Sequence, residues 1–225
     1  MRLGRAVFGV PASSALLCTP FSVGASQKRT TRMFTGIVEE LGRVHSFEGS
    51  RLRIEARTVL DDVHLGDSIA VNGCCLTVVE SGDGWWEADV SQETLDRTSL
   101  RGIQPGSPLN LERSVKLQDR LGGHLVQGHV DGVGEIVAPV PDLAVRIPAT
   151  LLRYVVEKGS ITVDGVSLTV VKPLPDGFTV AVIPHTAAVT TLGHKQVGDP
   201  VNVEVDVMAK YVERLLQEQR GTVAQ

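Results

Sequence analysis

The stretch Ser68-Ile-Ala-Val-Asn-Gly-Cys-Cys-Leu-Thr-Val-Val79 returns later in the chain as Ser160-Ile-Thr-Val-Asp-Gly-Val-Ser-Leu-Thr-Val-Val171. Eight of the twelve positions are identical, without a gap, at an offset of 92 residues. In each copy an Asn-Gly or Asp-Gly pair joins two β-branched runs, a pattern typical of a tight β-hairpin. The repeat therefore predicts two domains of the same fold.

The same offset holds from about residue 34 to residue 112. A two-fold repeat of this length is too long and has too few copies for a solenoid. Further short strands are predicted at 87–90 and 109–112 in the first copy, and at 179–183 and 201–205 in the second. Short helical turns are predicted at 93–100, 149–156 and 186–192. Several short strands in about 90 residues favour a small closed barrel.

The predicted fold is therefore mainly β: two tandem six-stranded Greek-key β-barrels followed by a C-terminal α-helix. The expected boundaries are 33–121 for the first barrel, 122–206 for the second, and 207–225 for the helix and tail. From Val207 to Gln219 one face of the helix is apolar, with Tyr211, Val212, Leu215 and Leu216 on it. This face can pack on its own barrel or on other copies of the chain. We favour the second interpretation, because each barrel already has a core built from its strands.

Residues 1–32 differ in composition from the rest of the chain. They contain five Lys or Arg residues and many Ser and Thr residues, and no acidic residue occurs before Glu39. This composition is typical of an organelle transit peptide, whereas Pro11 and the serines after it interrupt the apolar run of a secretory signal. A disordered tail without function is the alternative. A transit peptide predicts import into an organelle, and its composition does not distinguish a plastid from a mitochondrion.

Charge and cysteine content exclude several classes of function. Without residues 1–32, 17 basic residues remain against 26 acidic ones, a poor composition for binding nucleic acid or an anionic membrane. Cys74 and Cys75 are adjacent, so on a strand their side chains point to opposite faces. They are therefore placed neither for a disulfide with each other nor for a zinc site. We expect no metal and no membrane span.

Positions that are the same in both copies, and positions that differ, suggest where chemistry takes place. Ser68, Thr77 and Gly36 are repeated as Ser160, Thr169 and Gly128, and can either line similar clefts or act as cross-strand partners. By contrast, His129 aligns with Ile37, and Cys75 with Ser167. Two similar sites with unequal reactive groups suit a reaction in which two like molecules play different parts. A structural hydrogen-bonding role is the alternative for each histidine.

Five motifs together resemble the riboflavin synthases of the lumazine-binding type. They are Met33-Phe-Thr-Gly-Ile-Val-Glu39, Asn72-Gly-Cys-Cys-Leu-Thr-Val78, Gly122-Gly-His-Leu-Val-Gln-Gly-His-Val-Asp131, Asp164-Gly-Val-Ser-Leu-Thr169 and Ile183-Pro-His-Thr186. The resemblance runs from about residue 33 to residue 216. It implies a homotrimer held together by C-terminal helices. It also implies the dismutation of two molecules of 6,7-dimethyl-8-ribityllumazine to riboflavin and 5-amino-6-ribitylaminouracil without any cofactor. Together with the transit peptide, the resemblance implies a chloroplast or another plastid, with a mitochondrion as the alternative.

The resemblance also implies a set of site residues and an active site between subunits. Catalysis is expected at His129, Ser68, Cys75, Thr77 and Asp206, with Phe34 beside them. The expected first-barrel site contains Gly36, Ile37, Val38, Cys74, Cys75, Leu76, Asp89, Val90, Ser91, Gln92, Glu93 and Thr94. The expected second-barrel site contains Gly128, His129, Val130, Lys158, Ser167, Leu168, Thr169, Ile183, Pro184, His185, Thr186, Ala187 and Ala188.

The resemblance also implies roles for several of these residues. His129 is expected to shuttle a proton, and Ser68 and Cys75 to orient or add to the reacting ring. His185 fills a position that varies in the family and is therefore expected to contact substrate rather than act as the base. Two other functions remain as alternatives. A non-catalytic lumazine- or flavin-binding antenna protein has the same two-barrel fold but loses reactive groups from one site. A flavin-dependent reductase needs a nicotinamide-binding domain, and the chain has no Gly-rich dinucleotide fingerprint.

Overall fold

The structure is a computed structural model that describes residues 33–222, with side chains described as far as residue 217. The predicted transit peptide, residues 1–32, lies outside the described residues. The described part of the chain forms two closed antiparallel β-barrels and a C-terminal helix. The predicted mainly β fold is confirmed.

The first barrel is built from six strands. These are β1 (Glu40–Glu48), β2 (Arg51–Glu55), β3 (Ser68–Val71), β4 (Cys74–Gly82), β5 (Trp85–Asp89) and β6 (Pro108–Arg113). They close in the order β1-β2-β5-β4-β3-β6. The β3–β4 hairpin turns at Asn72 and Gly73, whose φ angles of 45° and 74° are those that a two-residue hairpin turn requires.

The second barrel repeats this arrangement. Its strands are β7 (Gly132–Ala138), β8 (Asp142–Arg146), β9 (Ser160–Val163), β10 (Val166–Leu174), β11 (Gly177–Ala181) and β12 (Pro200–Val205). Read around the ring, β7-β8-β11-β10-β9-β12 matches the order of the first barrel. Each barrel encloses its own apolar core, one containing Leu52, Ile54 and Trp86 and the other Ile136 and Phe178. The duplication seen in the sequence is therefore a duplication of the whole barrel.

Short helices cover the connections between strands. They are α1 (Gln92–Arg97), α2 (Pro184–Val189) and 3₁₀ helices at Thr58–Leu60, Ser99–Gly102, Ala149–Tyr154 and Thr191–His194. The continuous helix predicted over 93–100 is broken at Thr98, whose backbone is extended (φ −130°, ψ 162°). The Thr98 hydroxyl donates to the carbonyl of Thr94 at 2.7 Å and accepts from the N–H of Leu100. This local bonding competes with the helix, and Thr190 interrupts the second copy in the same way, donating to the carbonyl of Thr186.

The two barrels meet through reciprocal contacts of equivalent residues. Gly73 and Gly165 lie so close that a Cβ on either would come within 2.7 Å of the other's backbone nitrogen. The side chain of Asn110 donates to the carbonyl of Asp164, and the side chain of Asn202 donates to the carbonyl of Asn72. Because these groups are buried and paired, the two barrels are fixed in one mutual orientation.

The C-terminal helix α3 (Val207–Thr222) begins directly after β12. Val207 is buried against the barrel, whereas Tyr211, Val212, Leu215 and Leu216 are about half exposed or more. Ion pairs of Lys210 with Asp131, and of Glu213 with Arg153, attach the first turns of the helix to the second barrel. Within the described chain, no helix is long and apolar enough to cross a membrane.

Candidate functional site

Two short segments, each lying before the first strand of its barrel, pack at the junction between the barrels. We call residues 34–38 the first crossing segment and residues 126–130 the second crossing segment. They run antiparallel, and Phe34 and Val126 exchange backbone hydrogen bonds of 2.7 and 3.1 Å. Phe34, Val126 and Ala70 form a small buried cluster against which Cys75 packs. The two segments therefore meet at the junction of the barrels.

Each crossing segment lies against the barrel of the other repeat. The N–H of Ser167, in the second barrel, donates to the carbonyl of Gly36 at 2.7 Å. The N–H of Cys75, in the first barrel, donates to the carbonyl of Gly128 at 2.8 Å. Val38 packs on the core of the second barrel and Val130 on the core of the first.

This arrangement corrects the expected grouping of site residues. The sequence placed Gly36–Val38 with the first-barrel site and Gly128–Val130 with the second-barrel site. Within the chain these two triplets contact the opposite barrels. Assignment by repeat failed because each segment precedes the first strand of its barrel and crosses the junction before that strand begins. His129 therefore belongs with Cys75, and Ile37 with Ser167.

Glycine is required at the centre of each crossing segment. Gly36 and Gly128 have φ angles of 77° and 75°, in the region where side chains are disfavoured. A Cβ at Gly36 would lie 2.6 Å from the Cβ of Ser167, and one at Gly128 would lie 2.8 Å from the Cβ of Cys75. The backbone can approach these side chains closely because neither position has a side chain of its own.

A buried glutamate holds each crossing segment from its own barrel. Glu112 on β6 accepts the N–H groups of Thr35 and Gly36 at 2.6 and 3.1 Å, and the hydroxyl of Thr35 at 2.9 Å. Glu204 on β12 accepts the N–H of Gln127 at 2.7 Å. Its second carboxylate oxygen, Oε2, is buried without a hydrogen-bond partner in the described part of the chain. Burial raises the pKa of each carboxyl to about 7, although hydrogen bonding by the segments acts in the opposite direction.

The first-barrel face brings together several of the predicted catalytic residues. Ser68 pairs with Thr77, and Ala70 with Cys75, across the β3–β4 hairpin. Cys75 is partly exposed, whereas Cys74 points into the core. Burial raises the pKa of the Cys74 thiol to about 12, with smaller contributions from Cys75 and Glu204. A protonated thiol is a poor nucleophile, so Cys75 is the candidate for reaction.

Three further predicted contacts of the first barrel are turned away from solvent. The side chains of Cys74, Leu76 and Val90 lie in its core, so their backbone is the part available to a ligand. Ser68 is also buried, and its hydroxyl has no hydrogen-bond partner among the described residues. It lines a cavity of about 640 Å³ with Ile37 and Glu112, but Cys75 and Thr77 are not in this lining.

The second-barrel face contains a residue absent from the expected site. His124 Nδ1 lies 2.8 Å from the hydroxyl of Ser167, and the N–H of His124 donates to the carbonyl of Thr35. Burial lowers the pKa of His124, and the nearby charge of Asp206 opposes this shift. Asp206 also accepts the N–H of Met208 in the first turn of α3. The sequence signal that could have identified His124 is the preceding pair Gly122-Gly123. Glycine is needed at position 123, because a Cβ there would lie 2.1 Å from the carbonyl oxygen of Thr35.

The remaining predicted contacts lie at the rims of the barrels. Asp89 and Glu93 make ion pairs with Arg51 and Arg97, Gln92 bonds to Asp96, and Ser91 caps α1 by accepting the N–H of Thr94. In the second copy Ile183, Pro184, His185 and Ala188 are exposed, and Thr186, Ala187 and Leu168 are partly buried. Thr169 and Lys158 are also exposed. Lys158 has a φ of 64° at the position that Gly66 occupies in the first copy.

Among the described residues there is no group of three or more His, Cys, Asp or Glu side chains arranged to hold a metal ion. The reactive groups instead form two sets: Cys75 with the second crossing segment, and Ser167 with His124 and the first crossing segment. Each set combines a nucleophilic side chain, a nearby histidine and a closely approaching glycine backbone. Such a set can bind a polar planar ring and exchange protons with it.

The family model of the lumazine-binding domain matches residues 35–114 and again residues 127–206. A riboflavin synthase of Mycobacterium tuberculosis is 54% identical over 198 residues, which cover 82% of this chain and 98% of that protein. A riboflavin synthase of Bacillus subtilis is 45% identical over 195 residues, covering 82% and 90%.

Solved structures show the same architecture. LumP complexed with riboflavin superposes with a TM-score of 0.69 at 26% identity, covering 77% of this chain and 99% of LumP. LumP complexed with 6,7-dimethyl-8-(1'-D-ribityl) lumazine gives 0.68 at 25% identity, covering 76% and 98%. With a family domain in each barrel and relatives matched over nearly their whole length, the chain belongs to the lumazine-binding riboflavin synthase family.

Proposed function

We propose that this chain is a riboflavin synthase, a transferase that converts two molecules of 6,7-dimethyl-8-ribityllumazine into riboflavin and 5-amino-6-ribitylaminouracil. The observation that carries the proposal is the first-barrel face. There the backbone N–H of Cys75, the partly exposed cysteine, donates to the carbonyl of Gly128, and His129 is the next residue in the chain. The reaction moves a four-carbon unit between two identical rings, and two like barrels with unequal reactive groups suit that stoichiometry.

The chain's residues supply orientation and proton transfer. The C7 methyl of the lumazine is acidic because the ring accepts the charge, so a modest base such as His129 suffices to deprotonate it. Cys75 and Ser68, from the two strands of the β3–β4 hairpin, would orient or add to the ring. Holding two rings face to face is the larger task, since correct orientation can contribute about 7–11 kcal/mol in favourable cases.

We propose in addition that the active chain is a homotrimer with its active sites between subunits. The exposed apolar face of α3, with Tyr211, Val212, Leu215 and Leu216, is one support for this assembly. The exposure of substrate contacts such as Ile183, which is 62% exposed, is another. A site between a first barrel and the second barrel of a neighbour would cover the exposed substrate contacts, and packing of the helices on each other would cover the apolar face of α3.

Turnover by the purified protein distinguishes the synthase from the antenna alternative. The protein beginning at Met33 should convert 6,7-dimethyl-8-ribityllumazine to riboflavin without added cofactor or metal. Riboflavin formation is followed by fluorescence and by chromatography. Tight lumazine binding without product would favour the antenna function and contradict the proposal.

We propose that residues 1–32 direct the chain to a plastid, and a mitochondrion is the alternative destination. Their basic, hydroxyl-rich and acid-poor composition supports an organelle, and the proposed riboflavin synthase activity favours a plastid. A fusion of these residues to a fluorescent protein, imaged with plastid and mitochondrial markers, tests this proposal. Cytosolic fluorescence would contradict it.

A further inference from the structure

Glu204 has no contact role in the proposed reaction, yet it lies directly behind the segment that contains His129. It is 3% exposed, on the last strand of the second barrel. Its Oε1 accepts the N–H of Gln127 at 2.7 Å, and the N–H of His129 also acts on the carboxyl by lowering its pKa. Burial of this kind keeps the carboxylate away from a ligand, so any effect on the reaction must pass through the segment.

The second crossing segment is fixed from two sides. Glu204 holds it from the second barrel, and the N–H of Cys75 holds Gly128 from the first barrel at 2.8 Å. His129 directly follows these two attachments in the chain, and its side chain is exposed. We propose that Glu204 is a positioning residue for the reaction: it fixes the second crossing segment so that His129 stands beside the Cys75 face of the first barrel.

The equivalent carboxylate in the first copy provides a comparison within the chain. Glu112 holds the first crossing segment with three hydrogen bonds that use both of its oxygens. Glu204 leaves Oε2 unpaired and buried. Loss of Glu112 therefore removes more hydrogen bonds and should destabilise the fold more. The segment that Glu112 holds presents Ile37 where the other presents His129, so its loss should affect turnover less.

The inference rests on the proposed function, and the wild-type protein tests that function first. If the wild type binds lumazine but forms no riboflavin, the proposed function fails, and this outcome does not depend on any Glu204 variant. If it turns over, Glu204→Ala should lower kcat about 100-fold, the size of effect expected from a displacement of about 1 Å near the reacting groups. The Kd for lumazine should change less than kcat.

Two further variants separate positioning from folding. Glu204→Gln keeps an amide oxygen that accepts the N–H of Gln127, so it should recover most of the lost kcat. Glu112→Ala should lower the free energy of unfolding more than Glu204→Ala but lower kcat less, and a purely structural role would give the same order for both quantities. If Glu204→Ala does not fold, Glu204→Asp, whose shorter side chain draws the carboxylate back from the N–H of Gln127, replaces it in the Glu112 comparison and in the cycle with His129.

A double-mutant cycle gives the sharpest test. His129→Ala alone should lower kcat, and adding Glu204→Ala to it should lower kcat little further, because the group being positioned is already absent. The proposal is overturned if Glu204→Ala has the same effect on kcat with and without His129, or if its kcat equals that of the wild type.

Discussion

Gly128→Ala is the substitution that most directly tests the contact between the second crossing segment and the first barrel. Its φ of 75° lies in the left-handed region, where an alanine costs about 1–2 kcal/mol. The added Cβ would also lie 2.8 Å from the Cβ of Cys75 and 2.9 Å from the ring of Phe34. Ordinary carbon contacts are about 3.5–4.0 Å, so the segment must retreat by roughly 1 Å.

Overpacking of this kind costs about 1–3 kcal/mol. Together with the backbone strain, Gly128→Ala should lower the free energy of unfolding by about 2–5 kcal/mol. A stable domain has about 5–15 kcal/mol, so the variant should remain folded at moderate temperature. The retreat should also move His129 from Cys75 and lower kcat by about 100-fold.

Gly49→Ala is the matched control. Gly49 has a φ of 60°, in the turn between β1 and β2, and a Cβ there would meet nothing within 4 Å. It should lose about 1–2 kcal/mol from backbone strain and keep full turnover. Urea denaturation and steady-state kinetics of both variants measure the two effects. Equal stability losses with full turnover in Gly128→Ala would refute the close approach described above.

Three other predictions address the glutamates, the cysteines and α3. Since the pKa values of Glu112 and Glu204 rise from 4.5 to about 7 on folding, the folded state binds more protons, and the free energy of unfolding should fall as pH rises through this window. The double Gln variant should show a smaller fall, and an unchanged slope would contradict the assignment. In protein beginning at Met33, iodoacetamide should alkylate Cys75 much faster than Cys74, whose buried thiol has a pKa of about 12; equal rates in peptide mass mapping would contradict the inward orientation of Cys74. Leu215→Glu on the apolar face of α3 should give folded single chains without turnover in sedimentation and kinetic assays, whereas Gln217→Glu should assemble normally; full turnover by a monomer would refute the site between subunits.

The barrels were predictable from the sequence because local signals determine their strands and turns. Asn72-Gly73 and Asp164-Gly165 adopt the positive φ angles that the dipeptides predict. Alternation along β4 correctly placed Cys74 and Cys75 on opposite faces. The extent of the short helices was less predictable, since a single threonine hydroxyl at Thr98 ended α1 early.

The crossing segments were not predictable from local sequence. They have neither helical nor strand periodicity, and their attachments are far away in the chain. Thr35 bonds to a carboxylate 77 residues later, and Gln127 likewise bonds to one 77 residues later. The offset of the repeat aligned the segments with each other but carried no information on which barrel each one touches.

The crossing explains how one duplicated chain obtains two faces that differ in the way the reaction needs. Both His124 and His129 belong to the second repeat, and without a crossing both would lie with Ser167. Because the second crossing segment reaches the first barrel, Gly128 bonds to Cys75 and His129 follows it there, while Nδ1 of His124 lies 2.8 Å from the hydroxyl of Ser167. The first barrel thus has the thiol of Cys75 next to the segment that contains His129, and the second has the hydroxyl of Ser167 bonded to His124. The inequality between the two sites arises from the path of the backbone as much as from substitutions between the repeats.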